Sequence, residues 1–370
     1  MSKDDTDDNR DSNDNDGILS FQGQQLKLNT EEDGEKIAEK IRDFPRLVTF
    51  EMRGNTLGFN ATLPIAEALE THPTLKRALW SDMFTGRLKE EIPKTLKCLC
   101  DSVGLSGARL KELDLSDNAI GPMAVPGIKE FLAGESSFEL EILKLNNCGL
   151  GIAGKTIAQS LIECHKQSVR NETPLQLKVF IAGRNRLEYE STTALAEAFK
   201  VIGTLEEISM PQNGIRAEGI IKLAEAIKEN RSLKKLNLGD NTFGNSGAIG
   251  MAGVLKDLTQ LEVLDFSDCL CRDKGSMAIA DSLAASNCPL KELNLSGGEI
   301  TTDAAKNIVK TLHTLTSLKS LKIGVNCFGS EFSSFVDFVE PFGFVDPGTE
   351  SDDQGTLSEV SEEEEEEEDD

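Results

Sequence analysis

A pattern of spaced leucines closed by an asparagine recurs along this chain and limits its fold more than any other feature. It reads L-x-x-L-x-L-x-x-N from Leu110 to Asn118 and again from Leu233 to Asn241. Other copies of the pattern carry a different apolar residue at one of the leucine positions, or Cys in place of the final Asn. That last position, here called the ladder position, is held in turn by Asn55, Met83, Asn118, Cys148, Asn185, Asn213, Asn241, Cys269, Gly298 and Asn326. The steps between them are 28, 35, 30, 37, 28, 28, 28, 29 and 28 residues.

Each copy of the pattern predicts one short strand followed by one helix. The two leucines of L-x-L lie two residues apart, so they share the buried face of a strand. Between strands the apolar spacing changes to three and four, as at Ile220, Leu223 and Ile227, which indicates an amphipathic helix. We therefore expect an α/β leucine-rich repeat solenoid, a horseshoe of 28–29-residue repeats with parallel strands on the concave face and helices on the convex face. The ladder residues are expected to satisfy backbone groups.

The negative charge is concentrated at the two ends of the sequence. The formal net charge is −25, but residues 17–330 contribute only −3 of it. Residues 1–16 contribute −5, residues 331–350 another −5 and residues 351–370 contribute −12. We expect disordered acidic segments at residues 1–16 and 346–370, with the repeat domain and its capping segments at 17–345. The acidic tail either keeps the protein soluble or attracts a basic partner surface at long range.

Several functional classes have no support in the sequence. The motifs for phosphate-binding loops, dinucleotide binding and nucleophile elbows are absent, and the three histidines, His72, His165 and His313, are far apart in sequence. No metal or cofactor site is therefore expected. Two of the eight cysteines occupy ladder positions, which favours reduced thiols in the cytosol or nucleus. No apolar run approaches the length of a membrane span, and the acidic ends would repel nucleic acid and anionic membranes.

The residues one position before the ladder, here called the rim column, are mostly polar. They are Gly54, Asp82, Asp117, Asn147, Arg184, Gln212, Asp240, Asp268, Gly297 and Val325. Asp or Asn at a strand end often makes a local turn bond and has no other role. The change from Asp to Asn147 and Arg184 in adjacent repeats instead favours recognition of a partner.

One repeat departs from the pattern more than the others. Met83 replaces the ladder asparagine and is followed by Phe84, Thr85, Gly86 and Arg87. The steps of 35 and 37 residues fall in the same half of the chain, and insertions in repeat proteins often lie at the binding face. The polar stretch after Cys164 follows a helix, however, so that insertion is expected on the opposite rim.

These unusual turns resemble those of a known family. The matching segments are SDMFTGR at 81–87, LNNCGLG at 145–151, AGRNRLE at 182–188, QNGIR at 212–216 and GDNTF at 239–243. They are similar to the GTPase-activating proteins of the small nuclear-transport GTPase Ran, called RanGAP. The resemblance covers residues 18–345 together with the acidic tail.

The resemblance implies a crescent-shaped cytoplasmic protein that binds Ran in its GTP form and accelerates GTP hydrolysis without an arginine finger. By motif, Asn147 matches the asparagine that approaches the GTPase's catalytic glutamine. Arg87 matches an arginine needed for activation, which anchors the GTPase and does not neutralise phosphate. Lys89, Arg184, Arg186 and Asp240 are the further candidates for partner contacts. We expect a monomer that is not itself an enzyme, with a Ran-binding protein as a further partner.

Two other classes of binding protein remain open from the residues alone. Leucine-rich repeats with an acidic tail also describe acidic histone-binding or chaperone proteins, although the 28-residue step argues against this class. A binder similar to ribonuclease inhibitor shares the longer repeat. Animal members of the family that this chain resembles carry a further domain beyond the acidic tail, which docks at the nuclear pore. From the residues that are present we expect a diffuse cytoplasmic location.

Overall fold

The computed structural model describes residues 17–355, and within that range strands and helices alternate in every repeat. The strands are β1 Ile18–Ser20, β2 Lys27–Leu28, β3 Thr49–Glu51, β4 Thr56–Leu57, β5 Arg77–Leu79, β6 Glu112–Asp114, β7 Ile142–Lys144, β8 Val179–Ile181, β9 Glu207–Ser209, β10 Lys235–Asn237, β11 Val263–Asp265, β12 Glu292–Asn294, β13 Ser320–Lys322 and β14 Val345–Asp346. The helices are α1 Glu31–Arg42, α2 Phe59–Leu69, α3 Ile92–Leu105, α4 Gly121–Ala133, α5 Gly154–Arg170, α6 Glu188–Ile202, α7 Ala217–Ile227, α8 Gly244–Leu255, α9 Arg272–Ala285, α10 Thr302–Leu312 and α11 Phe332–Val339.

The strands form one parallel sheet whose order follows the chain. Within residues 17–355 it contains twelve strands, and β2 pairs separately with β4. Equivalent residues face each other, so Leu236 pairs with Ile208 on one side and Leu264 on the other. The central apolar residue of each three-residue strand from β3 to β13 is buried, and successive helices pack against one another. The predicted α/β leucine-rich repeat solenoid is confirmed.

The ladder asparagines satisfy backbone groups of two repeats at once, as predicted. Asn241 accepts hydrogen bonds at Oδ1 from the backbone N–H groups of Asn213 (3.1 Å) and Ile215 (3.0 Å). Its Nδ2 donates to the carbonyl oxygens of Met210 (3.1 Å) and Leu238 (2.8 Å). The Cys269 thiol donates to the carbonyl of Leu238 at 3.3 Å. All eight cysteines are free thiols.

The two long steps add residues at opposite ends of their repeats. After Met83, helix α3 begins only at Ile92, whereas α7 begins at Ala217, four residues after Asn213. The extra residues therefore form a loop at 84–91, on the side where the strands end. In the 37-residue step, from Cys148 to Asn185, helix α5 extends to Arg170. The extra residues of this repeat therefore lie at the end of the helix, on the opposite rim, as predicted.

Both ends of the array are covered. At the start, β1 pairs with β3 and α1 packs on α2. At the other end a cluster of aromatic rings covers the last repeat: Phe328, Phe332, Phe335, Phe338, Phe342 and Phe344.

Ordered contacts continue beyond the predicted boundary at residue 345. The Gln354 N–H donates to the Asn326 carbonyl at 2.8 Å, and the Asp353 carboxylate accepts from the N–H groups of Phe328 and Gly329. Residues 346–355 thus complete the cover of the last repeat because they satisfy backbone groups that a further repeat would otherwise bind. Residues 1–16 and 356–370, the remainder of the two predicted acidic segments, lie outside the described residues.

Candidate functional site

The rim column has one backbone conformation throughout. All ten of its residues have positive φ, from 48° at Asp82 to 74° at Gly54. Eight of their N–H groups, from Asp82 to Gly297 and with Asn147 and Arg184 among them, bond to the carbonyl of the residue two positions before the next ladder residue. For Asn147 this acceptor is Gly183, at 2.8 Å, and for Arg184 it is Pro211, at 2.9 Å. These bonds extend the sheet pairing past the strand ends and hold the side chains of the rim column in register.

This conformation explains part of the composition of the rim column. Asn, Asp and Gly adopt left-handed φ values more readily than other residues. Arg184 and Gln212 have no such preference, and their φ values are 56° and 55°. Local bonds to backbone N–H groups are made at the strand ends by the side chains of Asp114, Asn237, Asp265 and Asn294. Within the rim column, Asp82 accepts a local hydrogen bond from the Thr85 hydroxyl at 2.7 Å. Backbone conformation alone therefore does not account for the arginine and glutamine on the rim.

Asn147 is an exposed amide that is oriented by its neighbour on the rim. Its Nδ2 donates to Asp117 Oδ1 at 3.1 Å. The two residues line a shallow depression together with Gly121, Cys148 and Gly149. Within residues 17–355 the amide makes no other side-chain bond, so its oxygen and its second N–H face solvent. Such a group donates and accepts at the same time.

The structure places the Arg87 side chain against its own chain. The guanidinium makes four hydrogen bonds, to Thr56 Oγ1 (2.7 Å), Asn29 Oδ1 (2.7 Å), the Leu28 carbonyl (2.9 Å) and the Thr56 carbonyl (2.8 Å). Burial lowers the pKa of Arg87, and the Glu91 carboxylate opposes this effect. A guanidinium has five N–H donors, so one donor remains for a partner. Arg87 thus ties the inserted loop 84–91 to β2 and β4 of the N-terminal cap.

The other predicted contact residues are exposed. Lys89 lies on the inserted loop and makes no ion pair within the described range. Arg184 and Arg186 flank the buried ladder residue Asn185, both with positive φ, and likewise make no ion pair in residues 17–355. Asp240 is exposed two strands beyond Arg184. Arg87 and Asp240 are therefore five strands apart, roughly 24 Å at the usual strand spacing.

A group of carboxylates, Asp240, Asp265 and Asp268, lies farther along the array than Arg184 and Arg186. Burial raises the pKa of Asp268, and the nearby Asp240 and Asp265 carboxylates raise it further. Asp240 follows β10, Asp265 is the last residue of β11 and Asp268 follows that strand, whereas the two arginines follow β8. A partner that spans β8 to β11 would therefore meet the two arginines first and these carboxylates next.

Sequence reasoning missed two charged networks on the sheet. Glu112 is buried between Arg77 (2.8 Å) and Lys144 (2.7 Å), and although burial opposes ionisation these cations lower its pKa. Before strands β6 to β12, Lys and Glu alternate in adjacent repeats, and the Glu141 carboxylate accepts hydrogen bonds from both Lys111 and Lys178. The alternation of Lys111, Glu141, Lys178, Glu206, Lys234, Glu262 and Lys291 was visible in the sequence. Both networks link neighbouring strands of the sheet.

Two negative structural findings bear on other functions. No helix in residues 17–355 has the length and apolarity needed to cross a membrane. In the same range no three His, Cys, Asp or Glu side chains are grouped so as to bind a metal ion.

Comparison with known proteins gives matches of two kinds. A leucine-rich repeat family model matches residues 110–122, 229–252 and 286–309. Ran GTPase-activating protein 1 of Xenopus laevis is 57% identical over 317 residues, which cover 85% of this chain and 55% of the relative. Ran GTPase-activating protein 2 of Caenorhabditis elegans is 51% identical over 362 residues, covering 96% of this chain and 38% of the relative. A Saccharomyces cerevisiae relative, Ran GTPase-activating protein 1, is 30% identical over 54% of this chain and 49% of its own length. The chain spans about half the length, or less, of these relatives.

Proposed function

We propose that this chain, whose repeat array is homologous to those of the Ran GTPase-activating proteins, binds Ran in its GTP form and accelerates hydrolysis of the bound GTP. The observation that carries this proposal is the 57% identity over 317 residues with a protein of that name. The geometry supports it, since Asn147 is exposed on the rim and flanked by residues suited to partner contact. The protein would then act as an activator whose hydrolytic groups belong to the GTPase.

Asn147 is the residue proposed to act on the reacting groups. A small GTPase carries its own magnesium ion, phosphate-binding loop and a glutamine that orients the attacking water. A neutral amide held at 3.1 Å by Asp117 can contact such a glutamine without adding charge to the site. GTPase activators raise hydrolysis by up to about 10⁵-fold, or about 7 kcal/mol. Holding mobile groups in a near-attack geometry can supply an effect of that size.

The arginines are proposed as anchors and not as an arginine finger. Arg87 cannot extend into an active site while it holds its four bonds to Asn29, Leu28 and Thr56. Its role is to position the inserted loop and to offer its remaining N–H to the GTPase. Arg184, Arg186 and Lys89 contribute positive charge beside Asn147, and Asp240 contacts a cation of the partner farther along the rim.

The cellular setting is part of the same proposal. Conversion of Ran-GTP to Ran-GDP in the cytoplasm would place the protein in nucleocytoplasmic transport. We propose that it acts as a monomer, with a Ran-binding protein as an additional partner of the same complex.

Single-turnover hydrolysis of Ran-bound GTP, with the purified chain titrated in, tests the proposal. The expected result is a rate that rises with concentration to a plateau far above the intrinsic rate. A second small GTPase loaded with GTP serves as the control for specificity. A rate that stays at its intrinsic value across the titration would contradict the proposal. The remaining alternatives would then be an acidic histone-binding or chaperone protein and a binder similar to ribonuclease inhibitor.

A further inference from the structure

We propose that Met123, Ile152 and Tyr189, here called the apolar strip, bind an apolar side chain of the GTPase that is flanked by carboxylates. This inference rests on the proposed function and adds to it a second recognition element beside Asn147. The three residues follow the ladder positions of three consecutive repeats, by five, four and four residues. They therefore lie on the same side of the array as the rim column.

Backbone hydrogen bonds hold the apolar strip in a fixed arrangement. The N–H groups of Gly121, Gly151 and Glu188 donate to the ladder carbonyls of the next repeats at 2.9, 2.9 and 3.1 Å. Each strip residue follows one of these donors by one or two positions. A short 3₁₀ turn, Gly151–Ala153, carries Ile152 and contacts both α4 and α6, which carry the other two residues. The three side chains therefore start from neighbouring, mutually bonded backbone segments.

The exposure of the apolar strip has no explanation in the packing of the repeats. Met123 is 55% exposed, Ile152 54% and Tyr189 46%. Single exposed apolar residues are common and need no partner. Here they occupy equivalent places in successive repeats, and Leu88, which is also exposed, lies in the inserted loop of the repeat before them. In the five following repeats the positions four and five after the ladder residue hold no large apolar residue: they are Ala217 and Glu218, Asn245 and Ser246, Asp273 and Lys274, Thr302 and Asp303, and Ser330 and Glu331.

The charges beside the apolar strip define its occupant. Arg184 and Arg186 precede Tyr189 by five and three residues, are exposed, and make no ion pair within residues 17–355. Burial of an apolar side chain on the strip would bring the flanking groups of the partner next to these guanidiniums. Carboxylates are the groups that arginine binds most strongly there. The repeats that carry the strip are also those that carry Asn147 and Arg184, so one partner surface would cover both.

A matched pair of isoleucine variants tests the inference. Ile152→Ser changes the strip, and Ile249→Ser changes a residue on α8 of similar exposure, 54% against 49%. Binding to Ran loaded with a non-hydrolysable GTP analogue is measured by fluorescence titration, alongside single-turnover hydrolysis. We expect Ile152→Ser and Met123→Ser each to weaken binding about tenfold, from the apolar area left uncovered. The hydrolysis rate at saturation should be unchanged, and Ile249→Ser should bind as the wild type does.

Salt dependence separates the apolar strip from its basic neighbours. The loss caused by Ile152→Ser should be the same at low and high ionic strength, whereas the loss caused by Arg184→Ala should shrink as salt is added. One possible result is that the wild type binds Ran and activates hydrolysis, while Ile152→Ser and Met123→Ser behave as Ile249→Ser does. This result would overturn the proposed binding role of the apolar strip and leave the proposed function standing. A wild-type chain that fails to bind the loaded GTPase overturns both.

Discussion

Asn147 donates its Nδ2–H to Asp117 Oδ1 at 3.1 Å, so the side chains of two adjacent repeats orient each other on the rim. Because a carboxylate accepts but does not donate, this bond identifies which end of the amide faces Asp117. The amide oxygen and one N–H are then directed away from the protein. The proposed role of Asn147, to position the catalytic glutamine of a bound GTPase, requires an amide whose polar groups are free in this way.

Asn147→Ala should lower the plateau rate of Ran GTP hydrolysis by about 100-fold, the loss typical of misplaced reacting groups, while changing affinity far less. The φ of 52° at this position would also strain an alanine. Asn147→Gly removes the same amide without that strain and should lose activity equally. Gln212→Ala, at an equivalent rim position, is the control. Normal activity of Asn147→Gly would show that the amide has no role in hydrolysis.

Arg87→Ala should both reduce activation and loosen the N-terminal cap. It leaves the carbonyls of Leu28 and Thr56 without their side-chain donor, for which we expect a loss of about 2 kcal/mol in the free energy of unfolding. Hydrogen exchange should increase in residues 84–91 and around Leu28. Lys89→Ala, on the same loop, should leave both exchange and unfolding unchanged. Exchange in Arg87→Ala equal to that of the wild type would argue that Arg87 serves only the partner.

Asn241→Ala should be among the most destabilising single changes in the array. It removes two acceptor and two donor bonds that lie in the interior, and unpaired buried groups cost about 1–3 kcal/mol each. Asn241→Cys should cost less, because Cys269 shows that a thiol can still donate to a carbonyl from this position. Denaturant unfolding of the two variants checks the order. Equal unfolding midpoints for Asn241→Ala and the wild type would contradict the proposed stabilising role of the ladder asparagines.

Glu141 should make stability depend on pH in acid. Hydrogen bonds from Lys178 and then Lys111 lower its pKa from the ordinary value of 4.5. The folded state therefore releases this proton more readily than the unfolded chain, so the contribution is complete above pH 4.5 and is lost as pH falls through the lowered pKa. The difference in unfolding free energy between wild type and Glu141→Gln should shrink in that range. Denaturant unfolding of the two proteins across this pH range checks the prediction, and a difference that stays constant with pH would contradict it.

Deletion of residues 356–370 should slow association with a basic GTPase surface at low salt and leave the plateau hydrolysis rate unchanged. This segment holds ten carboxylates and no basic residue, and such charge acts mainly on the association rate. Deletion of residues 351–370 should in addition lower the melting temperature, because it removes the Asp353 bonds to Phe328 and Gly329. Stopped-flow association that is the same with and without 356–370 would favour a role in solubility.

The repeat pattern was enough to predict the architecture. The spacing of two in the strands and of three or four in the helices determines which side chains are buried, and each ladder asparagine satisfies its neighbours within one repeat step. The same reasoning located the rim column, Asn147, Arg184 and the unusual loop with Arg87. The prediction of the architecture succeeded because in a solenoid each residue interacts mainly with its equivalent in the adjacent repeat.

Other features depended on how the repeats stack and were decided only in three dimensions. The partners of Arg87 lie 31 to 59 residues earlier in the chain, so no local pattern shows that this side chain is already bound. The positive φ of the rim column is accompanied in eight of its ten residues by hydrogen bonds between repeats. The sequence by itself determined the repeating unit and the residues presented at its rim. The tertiary structure decided which of them remain available to a partner, because that depends on bonds made across repeats.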